Sequence, residues 1–227
     1  MSTANPAVTR LPGGLGKFFL LFISMLAALL VYPYAEASQA GYYVLRVFGA
    51  ATILASLYTA NFRRTGLVLA MMLAVPALYL RVVVPHVNAN EISVLSLVGG
   101  FAFDVMVTVM IFRRVYTRGQ ADAETVFGAL CIYLVTGFGF ASLYGVAVNL
   151  QTHAFYLDPL LNQHALPNRF DLVYYSFATL TSLGAAGIFP VSGQVRALSV
   201  LEAIMGVLYL AVLVAKLIGR FHAQKAL

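Results

Sequence analysis

Long apolar stretches dominate the chain and are separated by short polar connections. Six stretches reach the length of about 20 helical residues that crosses a hydrocarbon core. We predict membrane-spanning helices at 17–34, 41–60, 66–85, 92–112, 126–150 and 197–219. A helix satisfies its own backbone hydrogen bonds in lipid, so the pattern predicts an all-α membrane protein with six transmembrane helices.

A soluble domain of this size needs far more polar surface than the composition supplies. Of the 227 residues, 61% are hydrophobic and only 10% are charged, which is typical of integral membrane proteins. The one cysteine, Cys131, lies inside an apolar stretch, so we predict a small buried residue and no disulfide framework. The lipid bilayer is therefore the first partner that the sequence indicates.

Basic residues are concentrated in alternate connections between the apolar stretches. Arg63 and Arg64 lie between the second and third stretches, and Arg113 follows the fourth. The intervening connections are poor in Lys and Arg and carry acidic residues such as Glu36 and Asp158. By the positive-inside rule, this alternation predicts a multi-pass protein of the cell inner (plasma) membrane with both termini in the cytoplasm. The net charge of +6 then belongs to cytoplasmic loops, and no nucleic acid partner is predicted.

The first apolar stretch has a second interpretation. Residues 17–31 followed by Ala35-Glu36-Ala37 resemble a secretory signal peptide with a small-residue cleavage site. Cleavage there would place the new N-terminus outside the membrane and leave the later topology unchanged.

A shorter and more polar segment lies between the last two apolar stretches. Residues 171–190 read DLVYYSFATLTSLGAAGIFP, and we predict a short helix at 171–182, an extended Gly-containing stretch and a closing Pro190. Asp171 is expected to begin this helix, where a carboxylate caps free N–H groups and meets the positive end of the helix dipole. Non-helical backbone at membrane depth must be buried in protein or line a water-filled path. The segment is therefore the candidate functional site.

The run Thr179-Leu180-Thr181-Ser182-Leu183-Gly184, followed by Ile188 and Pro190, resembles the pore signature of the potassium-channel superfamily. In that family, a pore helix ends in a Thr-rich turn, and a Gly-Tyr-Gly-Asp run follows. Residues 196–219 are similar to the inner helix of the bacterial members, and Gly206 lies where similar channels carry a gating-hinge glycine.

This resemblance implies a voltage-gated-like ion channel architecture, in which a re-entrant pore helix and filter loop lie between helices five and six. It divides the chain into a cytoplasmic N-terminus, a four-helix transmembrane domain, a pore domain and a cytoplasmic C-terminus, at 1–16, 17–112, 126–220 and 221–227. One pore loop cannot enclose an axial path, so the resemblance also implies a homotetramer. The C-terminal ends of the pore helices, beyond Thr179, would then present partial negative charge to a central cavity and favour cations.

The implied selectivity filter comprises Thr181, Ser182, Leu183, Gly184, Ala185, Ala186 and Gly187. It departs from the family most at its end, since Ala185 replaces a tyrosine, Ala186 a glycine and Gly187 an aspartate. Family filters replace the water around K⁺ with backbone carbonyl groups. Left-handed backbone at Ala186 would cost about 1–2 kcal/mol. We therefore expect a shorter or wider filter with a backbone ring near Ser182–Gly184, weakly K⁺-selective or non-selective.

Ionisable residues inside the predicted spans are further functional candidates. Asp104 lies near the middle of the fourth span and is expected to find a protein partner, for which Arg46 and Arg81 are candidates. Glu202 lies near the outer end of the sixth span, and we predict that it braces the pore-helix base or loop rather than binding an ion. The fourth span lacks the Arg series of a voltage sensor, so strong voltage sensing is not predicted.

Small residues form a stripe on the fifth predicted span. Gly137, Ala141 and Gly145 recur at every fourth position, and such a stripe lets another helix approach closely. The sixth span and the pore helix are the expected neighbours, although generic packing of membrane helices gives the same pattern.

The sequence offers little other chemistry. His153, Asp158 and His164 lie in one outer loop, but their spacing matches no strong metal-ligand pattern, so a solvated loop is the favoured interpretation. We predict no catalytic residues, no metal site and no cofactor apart from permeant monovalent cations such as K⁺ or Na⁺.

The function expected from these observations is a tetrameric cation channel. The departures in the filter leave open a non-conducting membrane scaffold or sensor, or a subunit of a hetero-assembled channel. A membrane enzyme has the least support, because no convergent set of acids, bases or nucleophiles lies in the spans.

Overall fold

The computed structural model describes residues 16–36, 94–117 and 123–225. It contains five helices and two short strands in these ranges: α1 Lys17–Glu36, α2 Val94–Thr117, α3 Ala123–Leu150, β1 Phe155–Leu157, α4 Arg169–Leu180, β2 Ile188–Pro190 and α5 Gly193–Lys225. The predicted spans 41–60 and 66–85, with Arg46 and Arg81, lie outside the described residues.

The long helices extend beyond the boundaries that hydropathy predicted. The helix α3 starts three residues before the predicted 126, with Glu124 in its first turn, where its charge suits the helix dipole. The helix α5 starts at Gly193 instead of 197, because the Ser192 hydroxyl accepts a hydrogen bond from the Val195 N–H at 3.3 Å and caps it. Polar residues that hydropathy excludes thus belong to the helices.

Three of the described helices contain a stretch long and apolar enough to cross a membrane. These stretches are Lys17–Tyr34 in α1, Ala123–Leu150 in α3 and Gly193–Lys216 in α5. Their length and composition fit the mostly helical membrane protein that the sequence predicts.

The first core cluster joins α1, α2 and α3. Phe18 and Leu21 from α1, Phe103 and Ile111 from α2, and Cys131 from α3 are all buried in it. Burial of Cys131 agrees with the prediction, and its thiol donates to the Phe18 carbonyl oxygen at 3.5 Å. The helix α1, which contains the first apolar stretch, is therefore part of this core.

The second core cluster joins the C-terminal half of α3 to β1, α4 and the start of α5. At its centre, Tyr144, Phe155 and Tyr175 form a triangle of edge-to-face contacts, with ring centroids 5.6, 5.1 and 4.9 Å apart. Such contacts between aromatic rings stabilise a packing geometry beyond simple burial. The triangle therefore fixes α4 between α3 and the strand that precedes it.

A two-stranded antiparallel hairpin joins the two ends of the segment that contains α4. Phe155 pairs with Pro190, Tyr156 with Phe189 and Leu157 with Ile188. The segment 158–187 therefore begins and ends at neighbouring positions, where the two strands pair.

The stripe of small residues on α3 packs against two different helices. A Cβ at Gly137 would lie 2.8 Å from the Phe177 ring of α4, which is one of the predicted neighbours. A Cβ at Gly145 would lie 3.0 Å from Leu97 of α2, so the prediction of a neighbour for Gly145 was wrong. Eight residues along a helix turn the direction of a side chain by about 80°, so these glycines face different helices.

Candidate functional site

The N-terminus of α4 is a capping box. The Asp171 N–H donates to Asn168 Oδ1 at 2.7 Å, and the Asn168 N–H donates to Asp171 Oδ2 at 2.8 Å. Asn168 is thus the N-cap and Asp171 the third residue of the helix, which begins two residues before the predicted start. The aspartate caps an N–H group as expected, but from inside the first turn.

The C-terminus of α4 is a Schellman motif, so the helix ends at Leu180 instead of the predicted 182. The Leu183 N–H donates to the Ala178 carbonyl oxygen at 2.8 Å, and the Ser182 N–H donates to Thr179 at 3.0 Å. Ser182 takes the left-handed position of this motif, with φ of 58°, where glycine is the usual residue.

The last carbonyl groups of α4 all have protein donors. The Phe177 oxygen accepts from the Thr181 N–H at 3.0 Å, and the Leu180 oxygen accepts from the Tyr133 hydroxyl at 3.0 Å. Together with Ala178 and Thr179, these are the four carbonyl groups that a helix end leaves open. The expected partial negative charge is therefore partly neutralised at the helix end.

Open carbonyl groups lie instead in the segment immediately after α4. Within the described part of the chain, no carbonyl oxygen of residues 181–186 accepts a hydrogen bond from protein. Pairing resumes at Gly187, whose oxygen accepts from the Asp158 N–H and from Asn162 Nδ2, both at 2.9 Å. This run of open carbonyl groups, residues 181–186, is hereafter the carbonyl segment, and its oxygens can bind water or a cation.

The positive φ angles of the loop lie at different places from those predicted. They occur at Ser182, Gly184 (83°) and Gly187 (79°), and not at Ala186. The expected strain at Ala186 is therefore absent, because the left-handed residue is one position later. Only glycine suits that position, since a Cβ at Gly187 would also lie 3.1 Å from the Leu161 Cβ.

A tyrosine from α4 holds the end of the carbonyl segment. The Ala186 N–H donates to the Tyr174 hydroxyl oxygen at 3.2 Å, and Ala185 packs against the second core cluster beside Tyr174. The family has its filter tyrosine at the position of Ala185. In this chain, the aromatic ring behind the loop comes from the short helix.

Gly206 lies at the closest approach of α5 to α4. It is buried, and a Cβ at this position would overlap the Leu180 carbonyl oxygen. Close packing against the end of α4 therefore gives a physical reason for a glycine here. The role of a gating hinge stays a prediction.

Glu202 lies one turn before Gly206 on the same face of α5. It is fully buried, with Oε1 2.5 Å from Ser176 Oγ of α4 and Oε2 2.6 Å from the Tyr144 hydroxyl of α3. Ser176 Oγ also lies 2.7 Å from the Gly137 carbonyl oxygen. The carboxyl group thus joins α3, α4 and α5 at one point.

The other candidate residues do not converge on this site. Asp104 lies where α2 contacts α3. Its Cβ is 3.6 Å from the position that a Cβ at Gly139 would occupy. His164 Nε2 lies 2.6 Å from Asp171 Oδ2. Within the described ranges, no group of three or more potential metal ligands occurs.

Several residues that position the loop were missed by the sequence analysis. Asn168 carries a recognisable signal, because an Asn followed three residues later by an acidic residue is a capping-box pattern. Tyr133, Asn162 and Tyr174 carry none, since each acts on a carbonyl or N–H group remote in the sequence.

The part of the chain that forms this site is similar to a known family. Residues 129–222, which run from α3 through α4 and most of α5, match a family model described as "Ion channel". Comparisons with curated proteins and with solved structures found no match. The family match supports an ion-channel pore in this region and indicates a channel rather than an enzyme, and it does not extend to α1 or α2.

The contact of Gly206 predicts a loss of stability on substitution. Gly206→Ala forces α5 away from the Leu180 carbonyl group, which its bond from Tyr133 holds in place, and overpacking of this kind costs about 1–3 kcal/mol. We expect a lower midpoint of thermal unfolding in detergent. Gly193→Ala is the matched control, because a Cβ there meets nothing within 4 Å among the described residues. Unchanged stability of Gly206→Ala with altered gating would favour the hinge instead.

Proposed function

We propose that the chain forms a homotetrameric channel for monovalent cations, in which the carbonyl segment bounds the narrowest part of the path. The observation that carries the proposal is the position of this segment. Its open carbonyl groups follow a short helix between two long apolar helices, within the region that matches the ion channel family.

Carbonyl oxygens without protein donors are suitable ligands for cations. They carry partial negative charge, and rings of them can replace the water around an ion. The loop itself contains no charged side chain from Thr181 to Gly187. Selection for cations therefore relies on backbone dipoles, as in the family that the sequence resembles.

A tetramer is proposed because a single copy of the loop cannot enclose an ion path. Leu183 is 76% exposed in the single chain, although it lies beside the membrane-embedded part of the fold. On α5, large apolar side chains are exposed around most of the helix, including Val200, Leu201, Ile204 and Leu208. Lipid covers one part of such a surface, and neighbouring subunits cover the rest.

Weak selectivity is proposed from the shape of the loop. Positive φ alternates only at Ser182 and Gly184, and the next left-handed residue is Gly187. Regular alternation therefore covers a shorter stretch than in the family pattern, which suits a filter with few ion sites. The six-span subunit, the cytoplasmic termini, the plasma membrane location and the domain bounds at 17–112 and 126–220 belong to the same proposal.

The direct test is ion flux into liposomes that contain the purified protein, together with an electron-microscopy map of the same sample. We expect passive flux of K⁺ and Na⁺, and a fourfold axis at which four carbonyl segments meet. Absence of flux for either cation under any voltage or pH, or an oligomer without such an axis, contradicts the proposal. Capture of a stoichiometric partner by a non-conducting protein would instead support a scaffold or a hetero-assembled channel.

Gly184→Ala tests whether the backbone of the carbonyl segment controls flux. Alanine at φ of 83° costs about 1–2 kcal/mol in each subunit, which is a factor of about 5–30 in a conformational equilibrium. We expect cation flux to fall by about tenfold or more. Gly193→Ala is again the matched control, since neither glycine has an atom within 4 Å of the added Cβ and only Gly184 has positive φ. Equal flux in the two variants would contradict a role for this backbone.

Tyr174→Phe tests whether the tyrosine of α4 sets the width of the path. The change removes the oxygen that accepts from the Ala186 N–H and leaves the ring in place. We expect reversal potentials under bi-ionic conditions to shift toward lower discrimination between K⁺, Na⁺ and Cs⁺. The control is Tyr156→Phe, which alters an exposed ring stacked on Phe189 of the hairpin. A permeability ratio that is the same in Tyr174→Phe and wild type would exclude this role.

A further inference from the structure

Within the part of the chain that the structure describes, Glu202 is a buried acid without a basic partner. It has no solvent exposure, and no Lys, Arg or His in the described ranges forms an ion pair with it. The described titratable groups that interact with it are phenols, namely Tyr144 from α3 directly, Tyr175 from α4 through Ser199, and Tyr133 from α3 electrostatically. An unpaired carboxylate in such a place costs several kcal/mol.

The hydrogen atoms around Glu202 can be counted. Ser176 Oγ lies 2.5 Å from Glu202 Oε1 and 2.7 Å from the Gly137 carbonyl oxygen. A serine hydroxyl has one proton, and a carbonyl oxygen can only accept. If Glu202 were ionised, one of these two short contacts would join two oxygens with no proton between them.

A proton on Glu202 Oε1 gives each of the two Ser176 contacts a donor and an acceptor. The carboxylic acid then donates to Ser176, and Ser176 donates to the Gly137 carbonyl oxygen. The Tyr144 hydroxyl donates to Oε2 at 2.6 Å, since its other neighbour, Ser199 Oγ, is 3.4 Å away. Ser199 itself donates to the Val195 carbonyl oxygen at 2.8 Å and so accepts from Tyr175 at 2.7 Å.

We propose that Glu202 is a neutral, hydrogen-bond-donating residue that positions α4, and through α4 the carbonyl segment. The positioning of the carbonyl segment rests on the proposed channel function. The protonation state of Glu202 does not depend on that function. Ser176 lies on α4 five residues before Thr181. One turn farther along α5, Gly206 contacts Leu180 at the helix end. Loss of the proton would put a charge into this contact and break one of the two Ser176 hydrogen bonds, so that flux falls at the pH at which the proton is lost and stability falls as the pH rises towards it.

Infrared spectroscopy of the reconstituted protein tests the protonation state without any need for flux. A protonated carboxylic acid has a carbonyl stretch that is separate from the bands of a carboxylate. We expect such a band at neutral pH, lost in Glu202→Gln and kept in Glu124→Gln, which alters the glutamate in the first turn of α3. If no band at neutral pH depends on Glu202, the acid is ionised and the proposal fails.

The positioning role is tested by the pH profiles of flux and thermal unfolding. Glutamine has an N–H donor and a carbonyl acceptor, so it can replace the neutral acid in both contacts. We expect Glu202→Gln to keep wild-type flux at neutral pH. In wild type, flux should fall together with the infrared band on the alkaline side, below the range near pH 10 in which tyrosines ionise. The unfolding midpoint should fall at lower pH, between about 4.3, where an unfolded glutamate ionises, and the pH at which the band is lost, because only the unfolded chain has released its proton in that range. In Glu202→Gln, both should stay constant.

Each outcome separates the two proposals. Loss of flux in Glu202→Gln at neutral pH, or a wild-type profile shared by Glu202→Gln, overturns the positioning role. The wild-type protein could conduct no ions and still show the Glu202-dependent band and a pH dependence of the unfolding midpoint that Glu202→Gln lacks. That result contradicts the channel function and establishes the neutral acid.

Discussion

The hydrogen bonds that end α4 determine where backbone oxygens become available. The Thr181 N–H, the Schellman motif and the Tyr133 hydroxyl engage the carbonyl groups of residues 177–180, and the Gly187 carbonyl group is engaged again after the loop. The carbonyl segment between them is open because it is bounded by these two sets of bonds. The position of the open carbonyl groups therefore depends on α4 ending at Leu180.

Three contacts on α4 keep that end in place. The aromatic triangle packs it against α3 and β1, the Glu202 contact joins its middle to α3 and α5, and Gly206 lets α5 touch its last carbonyl group. The first two contacts involve the neighbouring residues Tyr175 and Ser176, and the third lies one turn later at Leu180. A displacement of α4 would therefore have to disrupt aromatic packing, buried hydrogen bonds and close backbone packing at once.

The loop differs from the pattern of the family it resembles in a coordinated way. The large side chain lost at Ala185 is matched by Tyr174, which reaches the Ala186 N–H from α4. The glycine lost at Ala186 is matched by Gly187, which carries the positive φ one position later. At both positions the loop geometry therefore differs from the one that the resemblance implies.

The sequence by itself determined the existence and type of the long helices that the structure describes, the short helix before the Gly-containing loop and the likeness to a channel pore. These follow from hydropathy and local motifs, which act over neighbouring residues. Only the tertiary structure decided the end of α4, the pairing of Tyr133 and Tyr174 with the loop, and the meeting of Glu202 with Ser176 and Tyr144. Sequence could not show them because each joins residues that are distant in the chain, and such contacts depend on how the helices pack.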